Sequence, residues 1–376
     1  ASDHNSCRQA IGLFRAPAQN FICADSNNYS ITHNGKIPVK KSGHGMFVLD
    51  GQLRENDWQA YIPQDELPVM INPQRGYIRS ANEHPVTEQY KYFPGWYFDD
   101  PYRARRIRER LEAQRDHSWQ SMQDTQNDIT DTFAREVAPL LIKNLTKDSL
   151  NHGQQQALAN LKEWDFILNY DSSLPSIFYV WWRNVRDSIW RDQLWESERP
   201  MRPPRSRTLA LIKDVDRKGE KAHSFNLFWL DDITTPQQEN LSDIVTSAFL
   251  TMWKELTEHF GEDFLQWQWH KVNTTQIPHV GQIPGFGSDK ILMGGGNNTP
   301  NANVGAHGAS WKMVVEMSNP IQAWTNIPGG ISGNPFDPTY DKWVESWSRG
   351  EMRSVRFGTL NKLKAEFKTT VFRGDE

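Results

Sequence analysis

Only two cysteines stand among the 376 residues of this chain, and no apolar run is long enough to span a bilayer. Lysine and arginine number 42 against 46 acidic residues, with both signs interspersed, which argues against the basic stripe of a nucleic-acid surface. The sequence also lacks His-Glu-x-x-His, Cys-x-x-Cys and Gly-x-Ser-x-Gly. It therefore offers no support for a zinc site or for the nucleophile elbow of the α/β-hydrolases.

The two cysteines leave the redox compartment open. Cys7 and Cys23 either pair in an oxidising compartment or remain two buried thiols, and the sequence favours the pair only slightly. No signal peptide is recognisable, and the chain starts at Ala1-Ser2-Asp3, as a mature or internal start also would. These residues alone therefore assign no compartment.

Tryptophan is the residue type that the chain has in excess, with 16 copies. Such richness indicates thick aromatic packing or a pocket for apolar groups. Charged residues make up 23% and hydrophobic residues 37%, as in an ordinary soluble globular protein, and the length predicts two or three domains. By local character we predict a strand-rich part at 1–100, a mainly helical region at 101–262, and strands with glycine loops at 263–376.

Strands and turns are predicted in the first and last of these parts. Residues 20–25 and 29–32 read as the two arms of a β-hairpin. Trp267-Gln268-Trp269 is predicted to be a strand, and Gly294-Gly295-Gly296-Asn297-Asn298 a flexible turn. No Lys-Ser/Thr follows these glycines, so the turn is not a phosphate-binding P-loop.

Helices are predicted in the middle of the chain from the spacing of apolar residues. Over 174–197 the apolar side chains, Trp181 among them, recur as one buried face, and core packing between helices is the favoured interpretation of the tryptophans there. A second amphipathic helix spans 241–260 and ends at Gly261, a residue suited to a helix C-terminus.

The segment from Asn72 to Asn82 is the stretch around which the chain is organised. Asn72-Pro73 favours a turn, Gly76 can take a backbone angle that other residues resist, and Tyr77-Ile78 has strand character. An Asn82 held at the end of a rigid strand can aim its side-chain N–H at a developing oxyanion. From these residues alone, the favoured interpretation is that Asn82 simply caps the turn.

An arginine-rich helix follows Asp100, which suits an N-cap, and Pro101, which suits the first helical turn. Most of its arginines are expected to form a solvated helix face. Arg103 differs because it lies in the first turn, where the helix dipole disfavours a cation. We therefore expect Arg103 to have a carboxylate or another specific partner.

Taken together, several segments resemble the C-terminal part of the large chain in the penicillin acylase (penicillin amidase) family. The segment from Asn72 to Asn82 resembles the family's Asn-Pro-x-x-Gly-Tyr-Ile…Ala-Asn block, and the helix with Arg103 resembles its arginine-containing helix. The other blocks match in the family's order: Ala16-Pro17-Ala18-Gln19-Asn20-Phe21, Gly35-Lys36-Ile37-Pro38, Leu161…Trp164-Asp165, Trp267-x-Trp269…Pro278-His279 and Pro328-Gly329-Gly330…Tyr340. So many blocks in family order are hard to obtain by chance, and they cover nearly the whole chain.

The resemblance implies an α+β fold, namely the four-layered αββα core of the N-terminal-nucleophile hydrolases, here partial and with a helical insertion. It implies a precursor that cleaves itself and exposes an N-terminal Ser, whose own α-amine serves as the base. Such an amine has an ordinary pKa near ~8, so it can accept a proton close to neutral pH. By the same resemblance, Asn82 supplies part of the oxyanion hole and Arg103 orients the site.

The sequence departs from the family pattern at three points. Ala1 is no nucleophile, and Ser2 and Ser6 lie too close to Asn82, so the nucleophilic Ser is expected on an upstream segment or partner chain. Glu83 stands where the family often has a second Asn, which puts the local hydrogen bonding in doubt. A calcium-binding Asp of some members falls near Phe93, so we predict no metal and no cofactor.

The resulting hypothesis is part of an amidohydrolase that cleaves a linear amide of the penicillin or acyl-homoserine lactone type. The substrate is expected to carry an apolar acyl group, and the resemblance implies a periplasmic or secreted protein that is active as a heterodimer after processing. The alternative is a non-catalytic binding or interaction protein on an acylase-like scaffold. An upstream segment without Ser, Thr or Cys at the processing point would favour this alternative.

Overall fold

The computed structural model describes residues 3–41, 45–148, 150–194, 202–288, 291–356 and 360–366. The chain divides into two compact units. The first unit comprises Ala1–Met122, Met313–Thr325 and Arg353–Glu376, and the second comprises Gln123–Lys312 and Asn326–Met352. The division of the sequence into three parts by local character stays a prediction.

Strands and helices are largely segregated along the chain, with one group of strands before a long run of helices and another group near its end, as is typical of an α+β fold. The helices of the described residues are α1 (His4–Ile11), α2 (Tyr102–Glu112), α3 (Trp119–Gln126), α4 (Thr132–Asn144), α5 (His152–Lys162), α6 (Leu174–Leu194), α7 (Arg205–Lys218), α8 (Ser224–Phe228), α9 (Leu241–Phe260), α10 (Trp269–Val272), α11 (Val344–Ser348) and α12 (Leu360–Glu366). The strands are β1 (Gln19–Ala24), β2 (Tyr29–Asn34), β3 (Pro38–Lys40), β4 (Trp58–Tyr61), β5 (Val69–Ile71), β6 (Lys312–Glu316), β7 (Gln322–Asn326) and β8 (Arg353–Val355).

The first unit contains small antiparallel sheets. Strands β1 and β2 form the predicted hairpin, and β5 pairs with β2 on its other side, which gives the order β1-β2-β5. A disulfide joins Cys7 of α1 to Cys23 of β1, which confirms the pairing of the two cysteines. A modest apolar cluster of Ile37, Ile62 and Leu67 supports the neighbouring β3-β4 pair. One disulfide and the pairing of short strands therefore hold this unit together with little apolar core.

The second unit is built on helices with a deep aromatic core. Helices α6 and α9 pack against each other, and Trp181 of α6 is fully buried where its ring meets Phe249 edge-on at 5.0 Å. The indole Nε1 of Trp181 donates to the Val245 carbonyl at 2.9 Å, so burial leaves its polar atom satisfied. Core packing is thus the role of this tryptophan, as predicted.

The predicted bounds of these helices agree closely with the structure. Helix α9 spans Leu241–Phe260 and ends at Gly261, whose φ is 87°. Asn240 and Asp243 form a capping box at its start, so both ends are marked in the sequence. Helix α6 is described as far as Leu194, and the predicted continuation over 195–197 lies outside the described residues.

Two predictions for the last third of the chain were wrong. Trp267-Gln268-Trp269 is not a strand, because Trp267 follows a short 3-10 turn and Trp269 begins α10. Both indoles are buried and donate to backbone carbonyls, of Gly261 at 2.8 Å and Gly295 at 2.7 Å. Three-dimensional burial, rather than strand pairing, explains why tryptophans occur at this position.

The glycines at 294–296 form a buried loop instead of a flexible turn. A Cβ atom on Gly295 would lie 2.3 Å from the Asn301 carbonyl oxygen, and the φ of this glycine is 96°. The side chains of Thr299 and Asn303 bond to backbone groups of the same loop. The glycines therefore permit close approach of backbone to backbone.

One lysine of the second unit is buried among polar partners. Lys312 is 3% exposed, and its ammonium donates to the side-chain oxygens of Asn127 at 2.6 Å and Asn301 at 3.2 Å. Burial lowers the pKa of Lys312 to about 8. In the part of the chain that the structure describes, no helix combines the length and the apolar character needed to cross a membrane.

Candidate functional site

The turn after β5 carries the candidate site of the first unit. Asn72 follows the strand with a φ of 42°, and Gly76 has a φ of 79°, as expected for this turn. The prediction of a strand at Tyr77-Ile78 was wrong, because neither residue belongs to a strand. A side chain bonds to the backbone there instead: Arg75 Nε donates to the Tyr77 carbonyl at 2.9 Å.

Asn82 adopts an unusual backbone conformation at an exposed position. Its φ is 66°, in the left-handed region that asparagine tolerates better than other residues with a side chain. The Asn82 carbonyl accepts a hydrogen bond from the Asp99 N–H at 2.9 Å. A backbone outlier held by a long-range bond of this kind is typical of functional positions, where the conformation serves the side chain.

Arg103 lies against Asn82 at the start of α2. Its Nη2 is 2.8 Å from the Asn82 Oδ1, 2.8 Å from the Ala81 carbonyl oxygen and 2.6 Å from the Asp99 Oδ2. Asp99 is thus the carboxylate partner predicted for this first-turn cation. The N-cap of α2 is Pro101 and makes no side-chain cap bond, so the prediction of Asp100 as N-cap was wrong by one residue.

The contact with Arg103 decides which way the Asn82 amide faces. A guanidinium only donates hydrogen bonds, so it fixes the amide oxygen toward itself and turns the NH2 group away. Among the described residues, no hydrogen bond is made by the Asn82 Nδ2. Asn82 therefore presents two N–H donors that the first unit leaves available for a ligand.

The carboxylate of Glu83, which stands where the family often has a second Asn, makes two hydrogen-bonding contacts close to Asn82. One carboxylate oxygen, Oε2, accepts from the Ala81 N–H at 2.6 Å, and the other, Oε1, pairs with the Nη1 of Arg79. The sequence signal for this pair is its i, i+4 spacing, although neither residue is helical. The local hydrogen bonding at Asn82 is thus complete with Glu83 in place of a second Asn.

A cavity of about 500 Å3 lies beside this segment within the first unit. Its wall combines apolar residues of β2 and β5 with polar groups, and includes Asn20, His33, Arg75, Arg79, Ser80 and Glu83. Burial lowers the pKa of His33, and electrostatic repulsion from the nearby His84 side chain lowers it further. At neutral pH the cavity therefore holds a largely uncharged imidazole beside an arginine–glutamate pair.

The sequence of this chain also matches a known protein family. The family model described as penicillin amidase matches residues 1–362. The chain belongs to the penicillin amidase family. Residues 72–82 and Arg103 lie inside the matched range, so the resemblance noted in the sequence is confirmed.

Curated relatives of the chain are acylases. The acyl-homoserine lactone acylase QuiP of Pseudomonas aeruginosa is 24% identical over 386 residues, which is 92% of this chain and 45% of that protein. The penicillin acylase 2 proenzyme of a Pseudomonas species is 33% identical over 86 residues, 22% of this chain and 11% of that protein. The chain therefore spans less than half the length of the curated relatives it matches.

A solved structure has the same fold. The thermostable penicillin G acylase from Alcaligenes faecalis superimposes with a TM-score of 0.62 at 13% identity, covering all of this chain and 71% of that chain. This likeness confirms the predicted fold class, that of the N-terminal-nucleophile hydrolases, for this penicillin amidase family member. The catalytic roles of Asn82 and Arg103 stay predictions.

Of the two serines considered in the sequence, one lies among the described residues. Ser6 lies in α1, where it forms a capping box with Asp3, and Ser2 lies outside the described residues. Among the described residues there is no group of three or more His, Cys, Asp or Glu side chains arranged to hold a metal ion. The chemistry that this part of the family member offers is hydrogen-bond donation from a fixed amide.

Proposed function

We propose that this chain is part of an N-terminal-nucleophile amidohydrolase that cleaves a linear amide with an apolar acyl group. The Asn82 amide donates to the oxyanion that forms when a serine attacks the amide carbonyl, and Arg103 holds Asn82 in that orientation. The nucleophilic Ser lies on an upstream segment or a partner chain that completes the heterodimer after processing. The substrate is of the penicillin or acyl-homoserine lactone type.

The observation that carries this proposal is the orientation of Asn82. Its oxygen is engaged by Arg103 at 2.8 Å, so only its N–H groups remain for the ligand. A preorganised donor of this kind stabilises developing negative charge without reorganising during the reaction. Two separate contacts hold Asn82 at a φ of 66°, and such a fixed backbone supports a preorganised role for the amide.

Two further findings support the partner and the compartment. The name proenzyme of one relative fits a chain that is released from a precursor, and the relatives are more than twice as long as this chain. The Cys7–Cys23 disulfide fits an oxidising location such as the periplasm or the exterior of the cell. Whether the substrate is a penicillin or an acyl-homoserine lactone depends on which acyl and amine groups the complete protein accepts.

The test replaces Asn82 with Ala in the chain joined to its upstream segment. Removing one oxyanion donor typically costs ~2.7–4 kcal/mol of transition-state stabilisation, so kcat for a chromogenic phenylacetyl or fatty-acyl amide should fall about a hundredfold or more. Asn160→Ala, at an exposed position of helix α5, is the matched control and should leave kcat unchanged. Thermal unfolding of both variants checks that the fold is intact.

Unchanged turnover of Asn82→Ala would remove this residue from the mechanism. Absence of hydrolysis in the complete wild-type protein, together with retained binding of the amide, would favour the non-catalytic scaffold instead. Mass spectrometry of the native material offers an independent check, since a Ser at the new N-terminus of the processed large chain identifies the nucleophile.

A further inference from the structure

Three consecutive peptide groups around Asn82 are held by hydrogen bonds. The N–H of Ala81 donates to Glu83 Oε2 at 2.6 Å, while the carbonyl of Ala81 accepts from Arg103 at 2.8 Å. The carbonyl of Asn82 itself accepts from the Asp99 N–H at 2.9 Å. The left-handed backbone of Asn82 is therefore fixed by one acidic residue on each flank and by one shared arginine.

Arg79 in turn holds Glu83. The guanidinium Nη1 of Arg79 pairs with Glu83 Oε1, which leaves Oε2 directed at the Ala81 N–H. A single carboxylate thus links an arginine side chain to the backbone next to the candidate oxyanion donor. Rotation of Glu83 away from this position would release the Ala81 N–H and relax the strained turn.

The Arg79–Glu83 pair is poorly suited to a purely stabilising role. The two side chains are only 18% and 21% exposed, so both charges lose most of their hydration. The Nε of Arg79 is buried and makes no hydrogen bond to any residue that the structure describes. The desolvation cost of such an ion pair offsets much of its attraction, so the pair is weak evidence for a stabilising role, while its directed contacts still fix the Glu83 carboxylate in place.

We propose that Arg79 and Glu83 are positioning residues for the Asn82 amide. Glu83 sets the conformation of residues 81–82 through the Ala81 N–H, and Arg79 keeps the Glu83 carboxylate in place. Two ion pairs therefore flank Asn82: Arg79 with Glu83 on one side, and Arg103 with Asp99 on the other. This inference rests on the proposed function, because it assigns Glu83 an effect on turnover that passes entirely through Asn82.

The test is a double-mutant cycle in the chain joined to its upstream segment. Glu83→Gln keeps the shape of the side chain but replaces one acceptor oxygen by an N–H2 group. We expect kcat to fall about tenfold with KM nearly unchanged. A tenfold loss in rate corresponds to about 1.4 kcal/mol, and a hydrogen bond to a charged group contributes at least about that much free energy. In the Asn82→Ala background the same change should cause no further loss.

Glu345→Gln is the matched control. Glu345 also pairs with an arginine at i, i+4, Arg349, but its side chain is 80% exposed, so kcat should not change. Equal losses from Glu83→Gln in both backgrounds, or no loss in either, would overturn the positioning role. If Asn82→Ala abolishes turnover while Glu83→Gln leaves it intact, only this inference fails; if Asn82→Ala has no effect, the proposed function fails first.

A crystal structure of Glu83→Gln supplies a measurement that does not depend on turnover. The positioning role requires that the Asn82 amide shifts and that its contact with Arg103 opens beyond hydrogen-bond distance. Arg79→Lys, which keeps the charge but not the planar fork, should produce a smaller displacement of the same kind. An Asn82 side chain that stays in place in both variants would refute the inference.

Discussion

The two units of this chain differ in what holds them together. In the second unit the largest buried side chains are aromatic, and Trp181, Trp190 and Trp267 are all buried with their indole nitrogens hydrogen-bonded. In the first unit the strand β5 exposes Val69, Met70 and Ile71 by about two-fifths each, and a disulfide and several ion pairs take the place of a deep core. The candidate site lies in the unit with the thinner core.

This difference indicates how the site is built. Around Asn82 the geometry is fixed by directed hydrogen bonds to charged groups, which set angles as well as distances. Apolar packing, which dominates the second unit, is non-directional and fixes shape rather than the orientation of a single amide. Mutations confined to one unit at a time test this difference.

The largest effect is expected from removing an aromatic side chain of the second unit. Trp181→Ala leaves a large cavity against Phe249 and should lower the free energy of unfolding by about 3–5 kcal/mol. Trp58→Ala, at a position of the first unit that is 58% exposed, is the control and should cost less than about 1 kcal/mol. Urea unfolding monitored by circular dichroism measures both, and similar losses would erase the contrast between the units.

The next effect concerns the bridge of the first unit. The Cys7→Ser/Cys23→Ser variant loses a cross-link between residues that are 16 apart, and loops of this size contribute about 3 kcal/mol. Amide hydrogen exchange should accelerate in β1 and β2 while helices α6 and α9 keep their protection. Uniform acceleration over both units would show that the bridge stabilises the chain as a whole.

The smallest effect is a pH dependence that belongs to the second unit. The pKa of Lys312 is about 8 in the folded protein and 10.5 for an ordinary lysine, so between these values the unfolded state binds more protons. The stability contributed at this position therefore rises with pH from about 8 to 10.5, by at most on the order of 3 kcal/mol. Urea unfolding at several pH values should show this rise in the wild type but not in Lys312→Met; parallel curves would contradict it.

Elements with local signals were predictable from the sequence. Helix α9 is marked by its apolar spacing and by Gly261, and the β1-β2 hairpin by two short extended runs on either side of a turn. The strands β7 and β8 were missed because they are short and pair across a long stretch of chain, so no local pattern reports them. Helix α7 lies within the range predicted to be mainly helical, but its bounds were not predicted, and the Pro204 at its N-cap makes no side-chain cap bond that would mark its start.

The candidate site was predictable in part. The resemblance to the family indicated Asn82 and Arg103, and first-turn electrostatics predicted a carboxylate beside Arg103, which the structure identifies as Asp99. The role of Glu83 could not be predicted, because its contact with the Ala81 N–H depends on a left-handed backbone at Asn82 that no residue pattern specifies. Residue propensities alone did not predict this turn, because the left-handed backbone of Asn82 is set by contacts with residues distant in the sequence.

The exposure of Asn82 also exposes the protein to slow chemical ageing. Hydrolysis of that amide to a carboxylate would exchange both N–H donors for an oxygen, and the new negative charge would bind Arg103 more tightly than the amide does. An aged molecule would then keep its fold, its disulfide and its spectra while having lost the N–H donors that we propose face the substrate. Loss of this one amide would therefore end the proposed activity long before the protein unfolds, so the two lifetimes have to be measured separately.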